Sequence, residues 1–140
     1  MSHSHPVYVL DSYAMLAYLN GEPGMPRIRQ VLDSAGRGEC RAAMSLINLG
    51  EVLYITEREV SLVQAQAALA AVEQLPLDIL PASREAVLAA AHIKANYRLS
   101  YADAFAAAAA QELAGTILTG DPEFTQVEGM VQVEWLESKA

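Results

Sequence analysis

Five short runs, at residues 6–10, 41–44, 77–80, 116–119 and 131–135, constrain this chain most. Each is too short for a helix, and most are apolar enough to be read as buried strands. Longer stretches with apolar residues at helical spacing separate them. Residues 12–19 stop at Asn20-Gly21, residues 25–35 end near Gly36 and Gly38, and Ser45 caps a helix carrying Leu46, Leu49 and Leu53. Leu62, Leu69, Val72 and Leu75 form the next stripe, closed by Pro76. Val87, Leu88, Ala91 and Ala95 form another. The stretch from Tyr101 to Leu113 is rich in alanine, with Gly115 expected as its C-cap. Strands alternating with helices give an α/β fold: a central parallel β-sheet flanked by helices in three layers.

At 140 residues, with 53% hydrophobic and 19% charged residues, the chain reads as a single packed domain over residues 6–140, with residues 1–5 a flexible tail. No apolar run approaches the ~20 residues of a membrane-spanning helix, and the first residues lack a signal peptide's apolar core. The single cysteine, Cys40, excludes an internal disulfide and fits a reducing cytoplasm. A net charge of −8 excludes a general nucleic-acid coating protein, whose affinity would come from Lys and Arg on phosphate. Local basic strips remain, at Arg27, Arg29, Arg37 and Arg41, and at Lys94 and Arg98 with His92.

Against this background four carboxylates stand out. Asp11 ends the first apolar run, and Asp121 closely follows the run at 116–119. Asp103 lies three residues beyond Ser100, and Glu51 two turns into the helix beginning near Ser45. The carboxyl ends of parallel strands share one edge, where ligands bind. Four acids converging there, with no Lys or Arg beside them in sequence, would repel one another unless they held protons or a hard cation such as Mg²⁺ or Mn²⁺. That chemistry points to phosphate substrates. Ser12, Ser45, Asn48 and Thr119 lie close enough in sequence to orient the carboxylates or water as a second shell.

Each acid also has a structural role open to it. Ser100-Tyr101-Ala102-Asp103 has the form of a capping box, Asp121-Pro122 that of an N-cap with Pro at N1, and Asp11 can cap the following helix. Glu51 can face solvent. Taken singly, Asp121 and Glu51 are explained by structure and Asp103 equally by either reading. Asp11, ending a buried strand without a charge partner, is not. Other chemistries find little. Gly21-Glu22-Pro23-Gly24 follows a helix rather than opening one, His3 and His5 lack further zinc ligands, and no nucleophile turn is present. A receiver-like domain needs paired acids after its first strand, but Ser12 follows Asp11, and an Asp-nucleophile phosphatase needs Asp where Tyr13 stands.

Val9-Leu10-Asp11-Ser12, Ser45 with Asn48 and Glu51, Leu99-Ser100-Tyr101-Ala102-Asp103-Ala104 and Leu118-Thr119-Gly120-Asp121 with Phe124 together resemble the PIN-domain nucleases. In order, spacing and length they are similar to the VapC-like toxins of toxin–antitoxin pairs. The resemblance implies a PIN-like fold and Mg²⁺- or Mn²⁺-dependent endonucleolytic cleavage of RNA. Asp11 and Asp103 match the principal metal ligands, Glu51 and Asp121 the two remaining acids, and Thr119 a supporting hydroxyl. It further implies a cognate antitoxin as partner and a homodimer, for which the apolar helices between residues 46 and 75 are the candidate surface. The competing expectation is a catalytically silent PIN-fold module that binds RNA or protein. Two positions depart from the family pattern. Gly120 stands where many relatives carry a basic or amide side chain, and the extra acid many relatives offer falls to Glu123, whose offset from Asp121 leaves its role open.

Overall fold

The computed structural model describes residues 5–138, so the tail expected over residues 1–5 lies outside it except for His5. Five strands, β1 (Val7–Leu10), β2 (Arg41–Ser45), β3 (Asp78–Leu80), β4 (Thr116–Thr119) and β5 (Gln132–Trp135), form one sheet in the order β3-β2-β1-β4-β5. Every neighbouring pair is parallel. The chain steps outward from β1 through β2 to β3, then crosses back to β4 and continues to β5. The order therefore reverses between β1 and β4, the place where open α/β sheets form a ligand-binding crevice.

Six helices cover the sheet: α1 (Ser12–Leu19), α2 (Met25–Gly36), α3 (Leu46–Glu59), α4 (Leu62–Glu73), α5 (Arg84–Asn96) and α6 (Tyr101–Leu113). The two-residue side-chain period of a strand sorts the core into two layers. Val9 and Ile117 pack beneath α5 and α6 with Ala90, Ile93 and Phe105. Leu10 and Leu118 face the opposite layer with Met15, Ile28, Leu49 and Val72 from α1 to α4. Buried on both faces, central strands must be apolar throughout, which is why β1 and β4 were legible as short runs.

Helix α6 is the axis of the molecule, buried at every residue from Asp103 to Ala110. It touches α5, α3, β1, β2 and β4, and only small side chains permit approach on so many sides. Its C-terminus departs from expectation. The left-handed residue is Ala114, at φ 51°, and Gly115 is the following position, whose N–H bonds Ala110 O at 2.8 Å. Gly115 is needed for another reason: a Cβ there would lie 3.0 Å from the Val7 carbonyl oxygen and 3.1 Å from Val7 Cγ1. The glycine thus lets α6 turn directly into β4 beside β1. Among the described residues no helix is long and apolar enough to cross a membrane.

Candidate active site

The carboxyl end of β1 delivers Asp11, which is wholly buried. Asp11 N-caps α1 by accepting the Ala14 N–H at 2.8 Å, and its other oxygen accepts a hydrogen bond from Thr119 Oγ1 at the end of β4. Thr119, also fully buried, accepts the Asp121 N–H at 2.9 Å through the same oxygen. One hydroxyl therefore couples the ends of the two central strands and fixes the acid after each. Asp121 in turn caps a 3-10 turn at Pro122–Val127 by accepting the Glu123 N–H at 2.9 Å. Phe124, fully buried, anchors that turn in the core.

Asp103 enters from the first turn of α6. Ser100 caps the helix as the capping-box pattern predicts, accepting the Asp103 N–H at 3.1 Å. The reciprocal half of the box is different: the Ser100 N–H donates to Glu123 Oε1 at 3.0 Å, not to Asp103. The Asp103 carboxylate is thereby released from capping and turned inward. It is 3% exposed, and its Oδ2 has no hydrogen-bond partner. Oxygens of Asp103, Asp121 and Glu123 all lie within 4.8 Å of one another.

Asp11 and Glu51 are outside that tightest group, though Asp11 shares the field of Asp103 and Asp121. Glu51 is attached to the site through Ser12, whose hydroxyl donates to it. The remaining polar residues divide. Ser45 caps α3 by accepting the Ile47 N–H at 3.1 Å. Asn48 donates through Nδ2 to Ala102 O at 3.0 Å, bracing α3 against the start of α6 one residue before Asp103, while its Oδ1 is buried without a partner. The structural roles open to Asp11 and Asp121 and their convergence are thus both present.

Electrostatics follow from burial and like charge. Burial pushes the Asp11 carboxyl up to about 7, opposed by the Thr119 and Ala14 hydrogen bonds and reinforced by the Asp121 charge. Burial, then the neighbouring Glu123, Asp121 and Asp11 carboxylates, push Asp103 up to about 9. Glu123 moves the other way, held below its ordinary value by the Asp103 carboxyl, the Ser100 N–H and the Lys94 charge. A buried carboxylate beside further carboxylates, with one oxygen lacking a donor, is stable only with a proton or a cation. These oxygens are hard donors suited to Mg²⁺ or Mn²⁺. The donor set fits a divalent ion.

Two residues of the site were not assigned from sequence. Glu123 joins through the 3-10 turn, a geometry that its two-residue offset from Asp121 does not reveal. Tyr13 lies over Gly120, where a Cβ would meet its ring at 2.3 Å. The glycine noted as a departure is therefore the room that this tyrosine needs. The only sequence signal was the pairing of an aromatic residue after Asp11-Ser12 with a glycine before Asp121.

Comparison with known proteins places this geometry. The PIN domain family model matches residues 8–130. VapBC2 from Rickettsia felis, solved bound to a DNA fragment from its promoter, has 17% identity and a TM-score of 0.74, covering 94% of this chain and 99% of that one. DNA-bound VapBC from Salmonella typhimurium has 18% identity and a TM-score of 0.70, covering 92% and 97%. The sarcin-ricin loop cleaving toxin VapC20 of Mycobacterium tuberculosis has 17% identity and a TM-score of 0.70, covering 91% and 98%. At these identities the likeness is one of fold. No curated protein matches the chain. The chain belongs to the PIN domain family.

Proposed function

We propose that this member of the PIN domain family is a metal-dependent endoribonuclease, the toxin of a toxin–antitoxin pair, acting in the cytoplasm as one domain over residues 6–140. The observation that carries the reading is the buried Asp103 carboxylate, which has an oxygen within 4.8 Å of oxygens of Asp121 and Glu123 and whose Oδ2 has no hydrogen-bond partner among the described residues. A structural role gives no reason to leave that oxygen without a donor. Similarity in fold to VapBC structures and to a loop-cleaving toxin supports the toxin assignment and a nucleic-acid substrate.

Asp103, Asp121 and Asp11 would hold Mg²⁺ or Mn²⁺, with Glu123 and Glu51 completing the acidic rim. When bound, the ion supplies Lewis acidity, which acidifies water and offsets charge developing on phosphate oxygens. The protein's own contribution is positioning. Thr119 fixes the Asp11 carboxylate against rotation, and the Ala14 N–H holds its other oxygen. Glu123 takes over the cap of α6 and leaves Asp103 free to face the site. The Ser12 hydroxyl orients Glu51 towards the same edge.

An antitoxin segment covering the acidic groove and a homodimer complete the proposal. Exposed Leu46, Tyr54, Val60, Leu62 and Val63 on α3, α4 and their connection support an interface there. The test is cleavage of total RNA by the purified chain with Mg²⁺ or Mn²⁺, with chelator, and by Asp11→Asn. Metal-dependent cleavage lost in the variant is expected. Failure of the intact chain to cut total RNA and a panel of defined RNAs would favour the silent-module reading instead.

A further inference from the structure

The chain solves one problem of an acidic nuclease in an unexpected place. A polyanion approaching Asp11, Asp103 and Asp121 needs compensating cations close by. Arg27, Arg37 and Arg41 are engaged in ion pairs with Glu134, Glu39 and Asp78, and Arg58 lies over the Tyr54 ring. Lys94 and Arg98, at the end of α5 and just beyond it, form no salt bridge among the described residues, as Arg29 and Arg84 form none, though the Lys94 charge also acts on Glu123. Lys94 and Arg98 line an open cleft of about 620 Å³ with Asn96, Tyr97, Ser100 and Glu123. Glu123 also belongs to the acidic group. Cleft and acids therefore share a wall one side chain thick.

The segment lining this cleft is fixed. Tyr97 ends α5 with its N–H bonded to Ile93 O at 2.9 Å, Leu99 is buried in the core, and the Ser100 N–H is tied to Glu123. Between those anchors Tyr97 and Arg98 stay outside, Tyr97 with 36% of its surface open. The cleft is open to solvent and presents two cations and an aromatic ring. Unpaired RNA is recognised by this combination: phosphate on Lys and Arg, and a base against an aromatic face.

Resting on the nuclease reading above, we propose that the cleft along the α5–α6 connection, bounded by Glu123 of the 3-10 turn, is a nucleotide subsite of the active site. Lys94 and Arg98 hold backbone phosphate there and Tyr97 stacks an unpaired base flanking the scissile bond. Glu123 is the hinge between binding and chemistry, since it lines the subsite and stands among the metal-facing acids.

The full chain tests this with a fluorescein-labelled, mixed-sequence single-stranded RNA 12-mer and its duplex. Binding is read by anisotropy in the Asp11→Asn background, and cleavage rate with Asp11 intact. Lys94→Ala with Arg98→Ala should weaken single-strand binding ~10-fold or more and lower the salt dependence of log K by about one to two. Tyr97→Ala should weaken it ~10-fold while Tyr97→Phe stays within about twofold. Arg29→Ala, an exposed cation on α2, should bind as the parent does, and the duplex should bind more weakly throughout. All of these side chains are exposed, and thermal unfolding checks that each variant folds. Unchanged binding and cleavage in the Lys94, Arg98 and Tyr97 variants, in a chain that still cuts RNA with metal, would overturn the subsite and leave the nuclease standing. An equal loss in Arg29→Ala would also overturn it. A chain that neither binds nor cuts RNA would remove both.

Discussion

The acids on the sheet's edge strands and those after its central strands are treated in opposite ways. Glu134 on β5 receives two hydrogen bonds from Arg27, at 2.7 and 3.0 Å, and Asp78 on β3 meets Arg41 at 2.7 Å. Asp11 and Asp121, after the central strands β1 and β4, have hydroxyl and backbone partners but no ion pair among the described residues. The paired acids are half-exposed, where an ion pair contributes little. The unpaired ones surround the most deeply buried carboxylates, where an opposing cation would contribute most. The chain places its arginines where stability needs them least. A cluster left uncompensated in the interior is a site kept for a ligand that brings its own positive charge.

Replacing the cluster's acids should separate function from stability most sharply. Asp103→Asn or Asp11→Asn should lower metal-dependent RNA cleavage by at least ~10²-fold, measured as initial rate on one defined RNA. The same substitutions should raise the metal-free thermal midpoint at pH 8, because Asp11 no longer buries a charge and Asp103 no longer has to take up a proton on folding, while hydrogen-bonding capacity remains. Substantial activity in either variant would remove the assigned mechanism.

Thr119→Val removes the hydroxyl that joins Asp11 to the Asp121 backbone. It should reduce metal affinity or activity by ~10–100-fold, with a titration of Mn²⁺ against cleavage rate as the readout.

The acidic end should also control how stability varies with pH. Asp11 and Asp103 rise in the folded state from 3.8 to about 7 and about 9. Groups whose values rise on folding favour the native state when protonated. Their contribution is complete below pH ~4 and is lost as pH climbs through 7 to 9. Without metal the thermal midpoint should therefore fall across that window, and saturating Mn²⁺ should restore it increasingly with pH. A flat metal-free profile, with no pH-dependent gain on adding Mn²⁺, would contradict this.

Gly120→Ala probes the packing beside the same site. Its Cβ would stand 2.3 Å from the Tyr13 ring, so the ring must move at a cost of ~1–3 kcal/mol. Adding Tyr13→Ala should recover part of that loss, a coupling visible in a double-mutant unfolding cycle. Arg41→Ala, which breaks the exposed ion pair to Asp78 on edge strand β3, should change stability by less than ~1 kcal/mol.

Much of this arrangement was written locally in the sequence. β1 and β4 were legible because strands covered on both faces must be largely apolar, and Asp11 because it ends one of them without a charge partner in the sequence around it. Ser100, Ser45 and Asp121 were legible as caps because capping chemistry depends on neighbours two or three residues away. What escaped depends on contacts through space. Glu123 completes the α6 cap from 23 residues away, and that exchange is what turns Asp103 inward. Tyr13 and Gly120 are 107 positions apart in number and meet only because β1 and β4 are adjacent. The left-handed cap falls on Ala114 rather than the expected Gly115, and what Gly115 supplies instead, room for β1, is a contact across the sheet.

Calorimetric titration of Mn²⁺ into the full chain at pH 6 and pH 8, beside Asp103→Asn, tests the uncompensated cluster most directly. A cluster kept for a cation predicts saturable binding that is tighter at pH 8, releases protons, and is lost in Asp103→Asn. No saturable binding at millimolar Mn²⁺, or binding that Asp103→Asn leaves unchanged, would contradict it.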